Sequence, residues 1–253
     1  MTETTVSPRR NLAIAALCVA LLLVGVGAGW LWQSHSTNPA ARLGAGDRTA
    51  IETVVREYIL AHPEILPQAM ENLSKRETEK QLAGVRDDVE KPFAGAVLGN
   101  PAGKVTLVEF TDYACTYCRQ SLREVDALIA ANPDLRVVVR ELPILSPASG
   151  DAARWALAAA EQGRYAQFHA AMFAAGQPND ASIDAAARSA GLDLDRARRL
   201  IADPRVEAEI NRNLELARAL GFTGTPAWVV GDQTLSGAVG REELGKAIAQ
   251  ARS

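Results

Sequence analysis

Cysteine is scarce in this chain: Cys18, Cys115 and Cys118 are the only three in 253 residues. So few cannot staple a small fold, and the chain must rely on an apolar core. Histidine is equally scarce, with His35, His62 and His169. A zinc site wants four ligands, and there is no second cysteine pair to complete one. His35 falls in a linker, His62 before a proline and His169 in a predicted helix, so each reads as a surface or core residue rather than a ligand. Lys/Arg clusters are lacking too. With a net charge of −3, nucleic acid is excluded as an expected partner. Internal repeats and low-complexity domains are absent. What remains is 48% hydrophobic and 23% charged residues, an ordinary globular balance with length for one sizeable domain plus additions.

One long run has no charge at all. Arg9 and Arg10 precede "LAIAALCVALLLVGVGAGWLW", from Leu12 to Trp32. As a helix rising about 1.5 Å per residue, this run reaches roughly 30 Å, enough to cross a bilayer. A cleavable signal has a shorter apolar core of ~7–15 residues and a small-residue cleavage site. Trp30 and Trp32 stand where small residues would be wanted, and they suit a membrane–water interface. The run therefore reads as a signal anchor over residues 11–33, with cleavage and release to a soluble exported form as the alternative. The paired arginines keep residues 1–10 cytoplasmic. Everything after the span is then exported to a compartment where disulfides persist. Pro8 and Asn11 fit a twin-arginine signal poorly. Cys18 lies mid-span after the large Leu17, as a buried apolar cysteine rather than a lipidation site.

Residues 34–46 are small, polar and Gly/Pro-punctuated, which predicts a linker. In the segment 47–90, Ile51, Val54, Val55, Tyr58 and Ile59 recur at helical spacing. Pro63 should end that helix after His62 and can start another. Leu66, Ala69, Met70 and Leu73 continue the apolar stripe. Two readings are open: the stripe packs on its own domain, or it faces a partner as an oligomerisation segment.

From Lys104 the pattern changes. "KVTLVEF" reads as a buried strand, "CTYCRQSLREVDALIAAN" as a helix and "DLRVVVRELP" as a second strand, together a βαβ unit. A helical tract follows over 149–220. Ser149 is the expected cap of its first helix, Gly163 and Gly176 end the first two, and short helices fall near 183–190 and 196–202. The last has Asp203 as cap, Pro204 at its first position and Gly221 as terminator. "PAWVV", a Gly231-Asp232 turn and "QTLSG" form a hairpin, and Arg241 to Ala251 a closing helix. Trp155 and Trp228 read as core.

Cys115 and Cys118 fall where the first strand gives way to the helix. Three uses are open: a staple, a metal clip and a redox couple. A bridge three residues long restrains little chain entropy, which weakens the staple. Two soft thiolates suit Cu(I), so a non-enzymatic copper-binding or chaperone-like exported protein using the same thiols is the alternative reading. A helix N-terminus favours an anionic sulfur through its unpaired N–H groups and partial positive charge. That suits Cys115 as a solvent-facing nucleophile and Cys118, one turn inward, as the resolving thiol. The βαβ setting favours redox use.

The pair, the βαβ unit and the later "GFTGTPAW" together resemble the thioredoxin superfamily. "LVEFTDYACTYC" and the helical block resemble its DsbA-like branch. The resemblance runs from about residue 95 to 253. It implies an α/β, thioredoxin-like fold with an inserted helical domain, and a thiol–disulfide oxidoreductase (oxidase or isomerase) with no cofactor beyond a Cys115–Cys118 redox-active disulfide. It places Pro226 as a cis-proline facing the cysteines, with Thr225 before it, both presenting backbone to substrate. It places Glu109, six residues before Cys115, as an acidic residue under the active site. Thr116 and Tyr117 form the dipeptide between the cysteines. The family usually has proline at the first of these positions, and its strongest oxidant has histidine at the second. Neutral Tyr117 implies a less oxidising couple. "VVREYILAHPEIL" resembles the N-terminal region of ScsC-like and Com1-like relatives, some of which oligomerise through it. Implied partners are cysteine-containing exported proteins, a membrane redox partner and further copies of the chain.

Overall fold

The computed structural model describes residues 21–31 and 45–252. Residues 21–31 are helical (α1), and their apolar side chains, Leu21 to Val24 among them, are exposed. The rest of the expected span, including Cys18, and most of the expected linker lie outside the described residues. Among the described residues no helix is long and apolar enough to cross a membrane. The chain divides into two compact units, residues 1–69 and 70–253.

In the first unit, α2 (Ala45–Ala61) ends at His62-Pro63, and α3 (Ile65–Ala83) follows and continues into the second unit. Pro63 thus breaks the helix where its ring and missing N–H predict, although the next helix starts two residues beyond it. Ile51, Val54, Val55 and Tyr58 of α2 are all exposed.

The second unit is built on a five-stranded sheet in the order β1-β3-β2-β4-β5. These are β1 (Val97–Gly99), β2 (Val105–Thr111), β3 (Leu135–Glu141), β4 (Ala227–Val230) and β5 (Gln233–Ser236). β2 and β3 run parallel, joined through α5 (Thr116–Ala131), and the other pairs are antiparallel. β1 is an edge strand absent from the sequence reading. It is three residues long and Gly/Ala-flanked, too short to show a period. In the hairpin turn Gly231 takes φ +55°, the left-handed conformation that glycine adopts without penalty.

Strand alternation divides the core between two faces. Leu107, Val137, Val139, Trp228 and Val230 pack with both cysteines and with Val125 and Leu128 of α5 on one face. Leu244 and Ile248 of α11 (Arg241–Gln250) join them. Val108, Phe110, Val138 and Val229 pack on the other face with Leu216 and Leu220 from the end of α10 (Pro204–Ala219). Leu82 of α3 and Val89 of α4 (Arg86–Glu90) belong to this second cluster and are fully buried. Burying an aliphatic side chain of this size contributes about 1.5–3 kcal/mol. The end of the 47–90 segment is therefore part of the sheet domain's core.

The helical insertion comprises α6 (Pro147–Ala160), α7 (Tyr165–Ala174), α8 (Asp180–Ser189), α9 (Leu194–Ile201) and α10. α6 starts earlier than expected. Ser146 is its cap, accepting the Ser149 N–H at 3.0 Å, with Pro147 at the first helical position. The Ser-Pro pair outcompetes Ser149 because proline's missing N–H costs nothing there. Asp203 caps α10 with Pro204 next, as the sequence indicates.

Candidate active site

Cys115 is the N-cap residue of α5. Its Sγ accepts the Cys118 backbone N–H at 3.3 Å, so one unpaired donor of the helix terminus is spent on this sulfur. The Cys115 thiol donates to the Thr225 carbonyl at 3.2 Å. The Thr225–Pro226 peptide is cis, and the loop carrying it lies beside the thiol just before β4. Cys115 is less open than expected, at 4% exposure, because this loop sits against it. Cys118, one turn further, is buried, and both cysteines are free thiols. Thr116 and Tyr117 between them are exposed. Among the described residues no group of three or more His, Cys, Asp or Glu side chains is placed to hold a metal ion.

Glu109 lies buried in β2 on the cysteine face. Burial, with the charge of Glu141 adding to it, raises its carboxyl from the ordinary 4.5 to about 8. Burial pushes the Cys118 thiol well above its ordinary range. The Thr111 hydroxyl, the Asp112 backbone N–H and the Thr225 hydroxyl act against that shift, and the Glu109 charge acts with it. Neither threonine hydroxyl has another hydrogen-bond partner among the described residues. Glu109, Cys118, Thr111 and Thr225 thus interact within one small buried volume.

Several residues that shape the site are not evident in the sequence. Asp112, buried at the end of β2, accepts the Ala114 N–H at 2.8 Å through Oδ1. Its Oδ2 accepts the N–H groups of Ile144 and Leu145, each at 2.9 Å. One carboxylate so ties the loop entering Cys115 to the loop leaving β3. Ile144 and Leu145 are exposed beside it. Gln177, from the helical insertion, donates to the Ala114 carbonyl at 3.3 Å. Glu141, Tyr113, Tyr165 and His169 form a further buried cluster. The one signal that could have found Glu141 is its place in "RVVVRELP", where alternation puts it on the face of Val137 and Val139.

Residues 106–249 match the family described as DSBA-like thioredoxin domain. The chain belongs to that family. Ahead of this DsbA-like domain, residues 47–80 match the copper resistance protein ScsC N-terminal domain. Among solved structures, a thioredoxin-like oxidoreductase from Silicibacter pomeroyi is 45% identical with a TM-score of 0.63, covering 66% of this chain and 97% of that one. The thiol-disulfide exchange protein α-DsbA2 from Wolbachia pipientis is 28% identical with a TM-score of 0.66, covering 70% of this chain and 97% of that one. A linker-deletion variant of Proteus mirabilis ScsC is 28% identical with a TM-score of 0.61, covering 85% of this chain and 99% of that one. Curated relatives include Na(+)/H(+) antiporter NhaA 3 of Salinispora tropica, 33% identical over 163 residues. That match takes 63% of this chain and 25% of the relative. The chain spans about a quarter of the length of the curated relatives it matches.

Proposed function

We propose that this chain is an exported thiol–disulfide oxidoreductase acting through the Cys115-Thr116-Tyr117-Cys118 couple. The observation that carries this is the placement of Cys115 Sγ, between the Cys118 N–H at the start of α5 and the Thr225 carbonyl. A sulfur there has a donor that remains when its proton leaves. It also lies against the backbone of the Thr225–Pro226 loop just before β4, a backbone able to pair with a substrate strand.

The chemistry follows from thiolate exchange. The Cys115 thiolate attacks a sulfur of a substrate disulfide, forming a mixed disulfide and releasing one substrate thiolate. Cys118, having passed its proton to Glu109, attacks Cys115 Sγ and releases the second. Run backwards, the same steps put a disulfide into a substrate. Net direction is set by the redox partner. Neutral Tyr117 between the cysteines fits an isomerase or general oxidoreductase better than a strongly oxidising one.

The substrates are cysteine-containing exported proteins, and a membrane redox partner resets the couple. The charge-free run after Arg9-Arg10 supports an inner-membrane anchor with the DsbA-like domain in the periplasm. The exposed Ile51, Val54, Val55 and Tyr58 on α2 support self-association through the N-terminal segment. Replacing Cys118→Ala removes the resolving thiol, so mixed disulfides between Cys115 and exported proteins accumulate on non-reducing gels. They vanish when Cys115→Ala is added. No adducts, under conditions that trap another member of the family, refutes the function.

A further inference from the structure

Beneath the cysteines lies a group the exchange chemistry above does not use. Glu141, 1% exposed, takes two hydroxyl protons on one oxygen: Tyr165 donates to Oε1 at 2.7 Å and Tyr113 at 3.1 Å. The Tyr113 oxygen is also 3.0 Å from Nδ1 of His169. Two buried atoms of the cluster have no partner among the described residues, Oε2 of Glu141 and Nε2 of His169. In the parallel pair β2–β3, Thr111 stands opposite Glu141 and Glu109 opposite Val139. Both carboxyls therefore share one face of the sheet, two register positions apart, with Tyr113 two residues from Cys115.

We propose that Glu141, held by Tyr113, Tyr165 and His169, is a positioning residue for the proton that leaves Cys118: its charge governs how readily Glu109 accepts that proton. The inference rests on the thiol-exchange function above. In the resolving step the Cys118–Cys115 bond forms, the bond from Cys115 to the substrate sulfur breaks, and the substrate departs as a thiolate. The proton from Cys118 goes to the Glu109 carboxylate. A negative Glu141 two register positions away on the same face raises the proton affinity of Glu109, and a neutral one lowers it.

The cluster is built to let Glu141 change charge in place. Tyr113 has one hydroxyl proton. Given to Glu141, it leaves the oxygen to accept from Nδ1–H of His169, so Nε2 is bare. When Glu141 gains a proton, both bonds reverse: Glu141 donates to Tyr113, Tyr113 donates to Nδ1, and the ring proton sits on Nε2. The heavy atoms need not move. Burial holds His169 neutral throughout, its imidazole lowered to about 3. Burial raises Glu141 to about 8, the Tyr165 and Tyr113 hydroxyls favour its charge, and Asp112 opposes it. From α5, Cys118 feels the charge of Glu109.

The test is the pH dependence of the resolving step, measured by stopped flow on the mixed disulfide of Cys115 with glutathione. Glu141→Gln keeps the shape and removes the charge. The rate midpoint moves to lower pH by roughly half a unit or more, while alkylation of Cys115 by iodoacetamide is unchanged. Tyr165→Phe removes one donor, leaves Glu141 more often neutral, and moves the midpoint the same way by less. It decides the matter alone if Glu141→Gln does not fold. A midpoint that stays or rises, or a change shared equally by Cys115 alkylation, overturns the inference and leaves the exchange function standing. A wild-type chain that resolves no mixed disulfide overturns that function and this inference with it.

Discussion

Glu109, Glu141 and His169 are ionisable groups placed where water cannot hold their charge, and each leaves a mark on stability. Both carboxyls titrate near 8 in the folded chain against an ordinary 4.5. Between those values the folded chain keeps protons that the unfolded chain has released, so stability falls as pH rises through this window. His169 acts oppositely. Its imidazole titrates near 3 when folded against 6.5 otherwise, so stability falls as pH drops from 6.5 toward 3. From pH 6.5 to 8 only the two carboxyls contribute among these three. The urea midpoint is therefore expected to be lower at pH 8 than at 6.5, with a smaller difference in Glu109→Gln. Equal midpoints in the wild-type chain count against this. At this scale the cysteines were legible because their spacing is local. Glu109 was reached by resemblance to a motif. Glu141, Tyr165 and His169 were not read together, since Glu141 belongs to a predicted strand and Tyr165 and His169 to a helix of the insertion, and they meet only when the insertion folds over the sheet.

At the scale of elements, Arg140 joins pieces far apart in sequence. It is 1% exposed, on the opposite sheet face from Glu141. Its Nε donates to the Val89 carbonyl at 3.2 Å, and its Nη2 to the carbonyls of Val89, Asp88 and Lys91 around the end of α4. Nη1 donates to Glu209 at 2.7 Å and to Asn213 at 3.0 Å, both on α10. The last carbonyls of a helix have no partners of their own, and a guanidinium with five donors satisfies several at once. Arg140→Ala leaves those carbonyls and Glu209 unpaired, at a cost of about 3–5 kcal/mol. Amides of α4 are expected to exchange faster than those of β2, and an unchanged melting temperature rules the clamp out as a stabiliser. Most elements were legible from period and punctuation: the apolar strands, the Asp203-Pro204 start of α10, the hairpin at Gly231. The start of α6 and strand β1 were not. The first was decided by competition between Ser146 and Ser149, the second by pairing of three residues along the edge of β3.

For the whole molecule, the end of the N-terminal segment belongs to the sheet domain. Leu82 and Val89 are buried within the domain, so deleting residues 47–90 would damage its core. The self-association predicted through α2 is better tested by Ile51→Glu with Val55→Glu, which put charge on the exposed stripe one turn apart. Light scattering should show a smaller mass for the double variant, with cysteine reactivity unchanged. The same mass in both chains removes the case for association through α2.

Most of the order of strands and helices, the cysteine couple at a strand-to-helix turn and the charge-free run near the N-terminus follow from the sequence by itself, because each is written in contacts a few residues long. Only the tertiary structure decided which polar groups share the space under Cys118, since parallel pairing of β2 with β3 and the fold-back of α7 are long-range events. Once those groups are shut away from water, their proton affinities depend on one another, a property no single stretch of chain carries.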